Sequence, residues 1–321
     1  MSASIVVVGG GVIGRTCALE LARAGHDVTL VTADPPEATT SAKAAAIWFP
    51  FEAYPLDRVL AWGARSLERL AALASEPASG VRLVAGRVIH RAAEPDLSWM
   101  PAVPGARHVA DPAAGDGVRA VTHAVLPCVD MSRHLPWLQR EGARCGVREV
   151  ERRITAIDEA LEHGELVVLA TGLGTNALVP GAALRPIQGQ VVRVANPGGV
   201  EWLLDAEHPD GLLYVIPRLD EVVIGGTEVH GADELEPDPL VERAILERAA
   251  AVLPWVADAT VTSRAVGLRP ARDEVRLERE GDVIHCYGHG GSGVTLAFGC
   301  AEEVVALASR SPAQRGGALL S

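Results

Sequence analysis

The chain has 321 residues, enough for one large domain or two smaller ones around a sizeable core. Carboxylates outnumber Lys plus Arg by 41 to 29, a formal net charge of -12, which disfavours DNA, RNA and anionic lipid as partners. Apolar residues make up 48%, and no uninterrupted apolar run approaches the roughly 18 residues of a membrane span, so neither nucleic acid nor membrane is an expected partner.

Residues 5–8 are a β-branched run, as in a strand buried on both faces. A glycine turn and a helix over 12–24 follow, with Gly25 as its stop, and 28–31 forms the second strand. That βαβ opening predicts a parallel, doubly wound sheet. Residues 34–43 are a Thr-rich loop and 56–74 carry helical periodicity. From 80 to 127 the chain is dense in Gly, Pro and Ala, with strand-like pieces at 81–84 and 118–120. A helix is predicted over 133–146 and a buried strand over 166–170, ended by Thr171-Gly172. Strands at 190–194, 202–204, 212–216 and 221–224, separated by polar breaks, predict an antiparallel sheet. A helix over 240–253, a strand over 283–287 and a helix over 293–308 complete the pattern, with a frayed end at 312–321.

The fold class is therefore α/β with an α+β part: a discontinuous Rossmann-like nucleotide-binding domain with an antiparallel substrate domain inserted in two pieces. The boundaries are 1–50, 130–182 and 264–321 for the first, and 51–129 and 183–263 for the second. Five cysteines without a C-x-x-C, two of them (Cys17 and Cys300) in apolar helical patterns, fit a reducing compartment. No basic segment precedes the first strand, and Ala318-Leu319-Leu320-Ser321 is not a peroxisomal address, so a cytoplasmic location is expected.

Gly9-Gly10-Gly11-Val12-Ile13-Gly14 fits G-x-G-x-x-G, between a strand and a helix. Gly9 permits the tight turn, Gly11 lets backbone approach a pyrophosphate, and Gly14 permits close helix-strand packing. The acidic residue that usually ends strand two is missing. Asp34 comes slightly late, either reaching a ribose or capping a solvated turn. The fingerprint alone does not separate NAD from FAD.

The C-terminal third carries Gly267-Leu268-Arg269-Pro270, then Tyr287-Gly288-His289-Gly290-Gly291-Ser292-Gly293-Val294-Thr295 and Gly299-Cys300-Ala301. Together with the glycine fingerprint, Ala44-Ala45-Ala46-Ile47-Trp48-Phe49-Pro50, Ala170-Thr171-Gly172, Gly189-Gln190-Val191, Tyr214-Val215-Ile216-Pro217 and Gly225-Gly226-Thr227, this resembles the D-amino-acid oxidase family of FAD enzymes. The matches are collinear and cover nearly the whole chain.

The resemblance implies FAD as cofactor and a D-amino acid and dioxygen as reactants. The α-hydrogen leaves as hydride to flavin N5, and the products are a 2-oxo acid, ammonia and hydrogen peroxide. It places Arg269 on the substrate carboxylate, where a planar guanidinium can form two parallel charge-assisted bonds. Tyr214 bonds the same carboxylate, and the carbonyl of Gly291 or Ser292 accepts from the amine. Cofactor contacts are implied for Gly9, Gly11, Val12, Ile13, Gly14, Asp34, Thr40, Ser41, Ala46, Ile47, Trp48, Thr171, Gly172, Gly290, Gly291, Ser292, Gly293, Val294 and Thr295. The helix start near Gly293 offers partial positive charge for a reduced, anionic flavin. No metal is expected: His285 and His289 lie on a strand and in a loop. Family members are often homodimers, although no apolar patch in the sequence marks an interface.

Two departures bear on specificity. Eukaryotic members carry a second tyrosine on a lid, where this chain has the shorter Glu207-His208-Pro209-Asp210-Gly211. Glu228 follows Gly225-Gly226-Thr227, where D-aspartate oxidases tend to be basic, which favours neutral or basic substrates unless it is a solvated strand residue. The alternatives are a glycine- or sarcosine-type flavin amine oxidase and a nucleotide-binding regulator without turnover.

Overall fold

The computed structural model describes residues 3–309, and the segment 312–321 lies outside them. In chain order the strands are β1 (Ser4–Val8), β2 (Asp27–Thr32), β3 (Val81–His90), β4 (Arg107–Ala110), β5 (Ala120–Val129), β6 (Arg148–Glu151), β7 (Leu166–Leu169), β8 (Arg185–Ala195), β9 (Trp202–Asp205), β10 (Leu213–Pro217), β11 (Glu221–Gly225), β12 (Val229–His230), β13 (Val261–Glu280) and β14 (Val283–His289). The helices are α1 (Val12–Arg23), α2 (Thr40–Lys43), α3 (Leu56–Leu73), α4 (Met131–Arg144), α5 (Ile157–Leu161), α6 (Thr175–Leu178), α7 (Pro239–Val252) and α8 (Gly293–Ala308).

The strands form one sheet in the order β4-β5-β3-β9-β10-β11-β8-β13-β14-β7-β1-β2-β6, with β12 added on β8. Pairing is parallel from β14 through β7, β1 and β2 to β6. From β14 through β13, β8, β11 and β10 to β9 it is antiparallel. The change of character follows from the sequence. Ile5, Val6, Val7 and Val8 are all buried, as a strand covered on both faces requires. β10 and β11 are joined by a short polar turn, as antiparallel neighbours can be.

β13 joins the two halves. It pairs with β8 from Val261 to Ala271 and with β14 from Ala271 to Glu280, with a register shift between Ala271 and Arg276. Arg269 and Pro270 thus sit where the strand passes from one half to the other. The charged residues alternating along β13 find partners. Arg264 pairs with Glu242, Arg185 with Asp273, and Arg276 with both Glu278 and Glu280.

The principal core lies under α1, α3 and α8. Cys17, Cys286 and Cys300 are fully buried there, as the first and last were expected to be. The stretch Gly290–Ala308, α8 with the helical turn before it, is long and apolar enough by length and composition to cross a membrane, but α8 packs here on α1 and α3 as a core helix. Gly299 is the reason α3 can lie so close: a Cβ there would fall 2.2 Å from the Trp62 carbonyl oxygen. Arg58 and Glu303 tie the same helices at 2.7 Å. So α3, in the 51–129 piece of the sequence division, is held against α8.

Two elements differ from expectation. The piece at 81–84 opens, and only Ala120 of the piece at 118–120 enters, a ten-residue strand pair, β3 and β5, in continuous register from Val81–Val129 to His90–Ala120. Gly86 hides this strand in the sequence. It is there because Trp202 packs on it, with the Trp202 carbonyl oxygen 2.2 Å from where a Cβ would sit. α4 starts at Met131, two residues before the predicted helix, because Asp130 caps it, accepting from Ser132 N at 3.0 Å.

Candidate active site

One cavity of about 830 Å³ runs from the carboxyl ends of β1, β2 and β7 to the face of the antiparallel strands. Ligands of open α/β sheets bind outside the carboxyl ends of strands, at the point where the chain order reverses. β1 is flanked by β2 and β7, so its end is that point.

Gly9, Gly10 and Gly11 line this end of the cavity. Gly9 has φ 128°, in the region favoured by glycine, and a Cβ on Gly14 would sit 1.9 Å from the Gly9 carbonyl oxygen. Helix and turn could not come this close with any side chain at 14. α1 starts without a side-chain cap and without an acidic residue in its first turn, so its positive end stays uncompensated. Ser41 reaches back from α2 and accepts from Val12 N at 3.0 Å. Arg15 fixes the turn from beneath. Its Nε donates to Gly10 O at 2.8 Å, and its Nη2 bonds Glu149 on β6 at 2.6 Å. Burial pushes the Glu149 carboxyl up, but the hydrogen bond and charge of Arg15 outweigh this and hold it below the usual range.

Val12, Ile13, Asp34, Thr40, Ser41, Ala46, Ile47, Thr171 and Gly172 also line the cavity. Asp34 is half open to solvent and faces Arg153 at 3.2 Å. Lys43, Arg152 and Arg153 line this region too. The sequence reading did not single them out, because a cation in a charged loop has no motif.

Gly290, Gly291, Gly293 and Val294 form the next wall, continuous with the glycine turn. Ser292, Thr295 and Trp48 do not line the cavity. The Ser292 hydroxyl donates to Phe51 O at 2.7 Å and accepts from Phe51 N at 2.8 Å. Thr295 does the same with Phe49, at 2.9 and 3.1 Å. Trp48 is in the core, donating to Gly63 O at 2.8 Å. Ser292 and Thr295 clamp the 47–51 segment against the start of α8 and Trp48 ties it to α3, and so they hold the cavity-facing Ile47, Phe49 and Phe51 in place.

The far wall is one face of the antiparallel sheet. Tyr214 and Ile216 on β10, Gly189 and Val191 on β8, and Gly267 and Arg269 on β13 share it by the two-residue period of a strand. The Arg269 guanidinium lies over Gly189 and donates from Nη1 to Thr227 O at 3.1 Å. Gly291 adjoins it: a Cβ at 291 would be 3.6 Å from Arg269 Cδ. Tyr214 lies over Gly225, where a Cβ would fall 2.4 Å from the phenol oxygen. The tyrosine and the arginine are thus each seated on a glycine of the neighbouring strand and face the same space. Ile216 was legible from Tyr214 by alternation. Phe49 and Phe51 had no comparable signal.

His285 and His289 are both buried on β14. Burial pushes His289 down to about 4, so it is a neutral imidazole at ordinary pH. Neither belongs to the one group of possible metal ligands among the described residues.

Over residues 4–307 the chain matches the family described as FAD dependent oxidoreductase. It is 43% identical over 312 residues to a D-amino-acid oxidase of Rubrobacter xylanophilus, covering 95% of this chain and 96% of that one. To a D-amino-acid oxidase of Streptomyces coelicolor it is 44% identical over 314 residues, covering 95% and 96%. The chain belongs to the D-amino-acid oxidase family of FAD-dependent oxidoreductases. A solved glycine oxidase from Bacillus cereus has the same fold, with a TM-score of 0.77, 20% identity and 95% and 94% coverage.

The family cofactor, FAD, fits the residues present. The Gly9–Gly14 crossing leaves room for backbone but not for side chains, which is what close approach to a pyrophosphate needs. The open positive end of α1 suits the phosphates. The glycine-lined wall at 290–291 suits a flat ring system that must lie against backbone.

Proposed function

We propose that this chain oxidises D-amino acids to 2-oxo acids and ammonia, with dioxygen as the final acceptor and hydrogen peroxide as product. The observation that carries this is the shared orientation of Arg269 and Tyr214. They stand on different strands, each seated on a glycine, and face the cavity that the glycine turn also lines. A regulator without turnover has no need of this pair. The relatives at 43% and 44% identity are named D-amino-acid oxidases, against 20% identity to the glycine oxidase.

FAD, when bound, supplies the hydride acceptor and passes the electrons to dioxygen. The residues of this chain position the substrate. The Arg269 fork holds the carboxylate in place and in rotation, and the Tyr214 hydroxyl donates a further bond. The carbonyl of Gly291 or Ser292 accepts from the amine, and Gly291 adjoins Arg269. The Ser292 hydroxyl serves this geometry through Phe51. These attachments of carboxylate and amine fix whether the hydrogen or the side chain on Cα faces the ring, and orientation of this kind accounts for a large share of the barrier lowering. No side chain is needed to remove the α-proton.

The cofactor-binding part is 1–50, 130–182 and 264–321, and the substrate part is 51–129 and 183–263. This division is supported by the passage of β13 from one half-sheet to the other near residue 270. Neutral and basic D-amino acids are the preferred class, since Glu52 and Glu228 stand near the carboxylate anchor.

The test is anaerobic reduction of the purified flavoprotein by separate pools of D- and L-amino acids. Bleaching by the D pool alone is expected, faster with D-Ala or D-Lys than with D-Asp. Equal bleaching by glycine or N-methylglycine would replace this reading with a glycine- or sarcosine-type oxidase.

A further inference from the structure

Beside Arg269 two carboxyl groups meet. Glu228 directly follows Thr227, whose carbonyl accepts from Arg269 Nη1. Glu52 comes from the segment clamped by Ser292, and its carbonyl oxygen would lie 3.3 Å from a Cβ on Gly290. Glu52 has φ 45°, a left-handed conformation that a residue with a side chain adopts only when its surroundings hold it there. A carboxylate oxygen of Glu52, one of Glu228 and a ring nitrogen of His230 lie within 4.8 Å of one another. Glu228 Oε1 is buried and has no hydrogen-bond donor among the described residues.

Two ionised carboxylates are both acceptors and repel at this distance, so the contact is favourable only when one proton lies between them. We infer that Glu228, sharing one proton with Glu52, is a further positioning residue of the carboxylate site, and that loss of this proton weakens the hold of Arg269 on the substrate carboxylate. The inference rests on the assignment of Arg269 as the carboxylate anchor.

The charged groups facing Glu228 are Glu52 from the 47–55 segment, Arg269 from β13 and His230 from β12, the last at 3.9 Å and mostly exposed. Burial, then the bond and charge of Glu52, raise Glu228 to about 7, while Arg269 acts against them. Below that pH the pair carries one negative charge and leaves the guanidinium free to attract an anion. Above it the pair carries two, and the second competes with the ligand carboxylate. Affinity for a carboxylate therefore falls as pH rises through about 7.

The experiment measures propionate binding to the FAD-loaded enzyme from flavin absorbance between pH 6 and 8.5. Propionate is ionised throughout and has no amine to confuse the profile. Its Kd is expected to rise about fivefold across this range in the parent enzyme. In Glu228→Gln it is expected to stay flat at the low-pH value, while His230→Gln keeps the rise. A flat parent profile, a slope that survives Glu228→Gln, or a slope lost only in His230→Gln overturns the inference. Arg269→Lys is measured alongside. If it leaves propionate binding unchanged, the anchor assignment itself is wrong. If it abolishes binding while the parent profile is flat, only the proton-sharing pair fails.

Discussion

Arg269 Nη2 lies 2.5 Å from where a Cβ on Gly189 would be. The register of β8 and β13 puts Gly189 opposite Gly267 and Ile187 opposite Arg269, so the arginine reaches diagonally over the one position of β8 without a side chain. An alanine at 189 would push the flexible end of the guanidinium aside without meeting backbone. Gly189→Ala is therefore expected to keep its fold and its flavin and to raise KM for D-Ala about tenfold or more, through misplacement of the anchor. Steady-state kinetics and flavin content on the same preparation check this. An unchanged KM with intact flavin would mean that the guanidinium position is unimportant.

Arg15 is the buried support of the cofactor turn, holding Gly10 O from one side and Glu149 from the other. Arg15→Ala leaves Gly10 O unpaired and Glu149 with only the bond from Gln139 at 2.9 Å. Breaking a buried pair costs about 3–5 kcal/mol, and the partial exposure of Glu149 reduces this to about 2. The expected outcome is a lower Tm and an FAD Kd raised about tenfold or more, read by flavin fluorescence on dilution. Gly14→Ala is the harsher variant, because its Cβ meets backbone and not a movable side chain. It is expected to be recovered without flavin or not at all.

These variants also mark what the sequence makes legible. The β-branched run at 5–8, the fingerprint and Gly25 locate the nucleotide end, since local sterics alone require those residues. Gly225-Gly226-Thr227 and Gly189 could be matched to a family, but their physical reason is tertiary: each makes room for a side chain on a neighbouring strand. The length of β13 was not legible, because its charged alternation is that of any solvated strand and one of its two partners, β8, is distant in the chain. Nor does sequence tell which face of the 290–295 segment a hydroxyl takes. Ser292 and Thr295 stand among cavity-lining residues and yet point to Phe51 and Phe49.

Hydride loss from Cα requires a neutral amine, so kcat limited by chemistry is expected to rise with pH towards the amine pKa of the bound substrate. His289 lines the cavity and is an alternative proton carrier. With its pKa near 4 it is neutral at both ends of the working range and has no charge change to impose there. His289→Asn is accordingly expected to leave the shape of the kcat profile between pH 6 and 10 unaltered. Pre-steady-state flavin reduction is the appropriate measurement. A parent profile that is flat over this range, or an inflection that disappears in the variant, would show that a protein group carries the proton.

His134 offers a stability test far from the chemistry. It is fully buried, stacked on Trp137 with centroids 5.4 Å apart, and its Nδ1–H donates to Ser79 O at 2.8 Å. Burial lowers it to about 4, although the bond to Ser79 acts the other way. The folded state thus binds fewer protons than the unfolded state between about pH 4 and the ordinary value of 6.5. Stability from this group is complete above 6.5 and is lost as pH falls towards 4, by about 3 kcal/mol at most. In His134→Gln the protein should be weaker at pH 8, through lost stacking, but its stability should fall less steeply below pH 6.5. Urea unfolding of both proteins at pH 8, 6.5, 5.5 and 4.5 isolates the effect, because other titrating groups cancel in the difference. A difference that stays constant across the four values would mean that His134 titrates alike in both states.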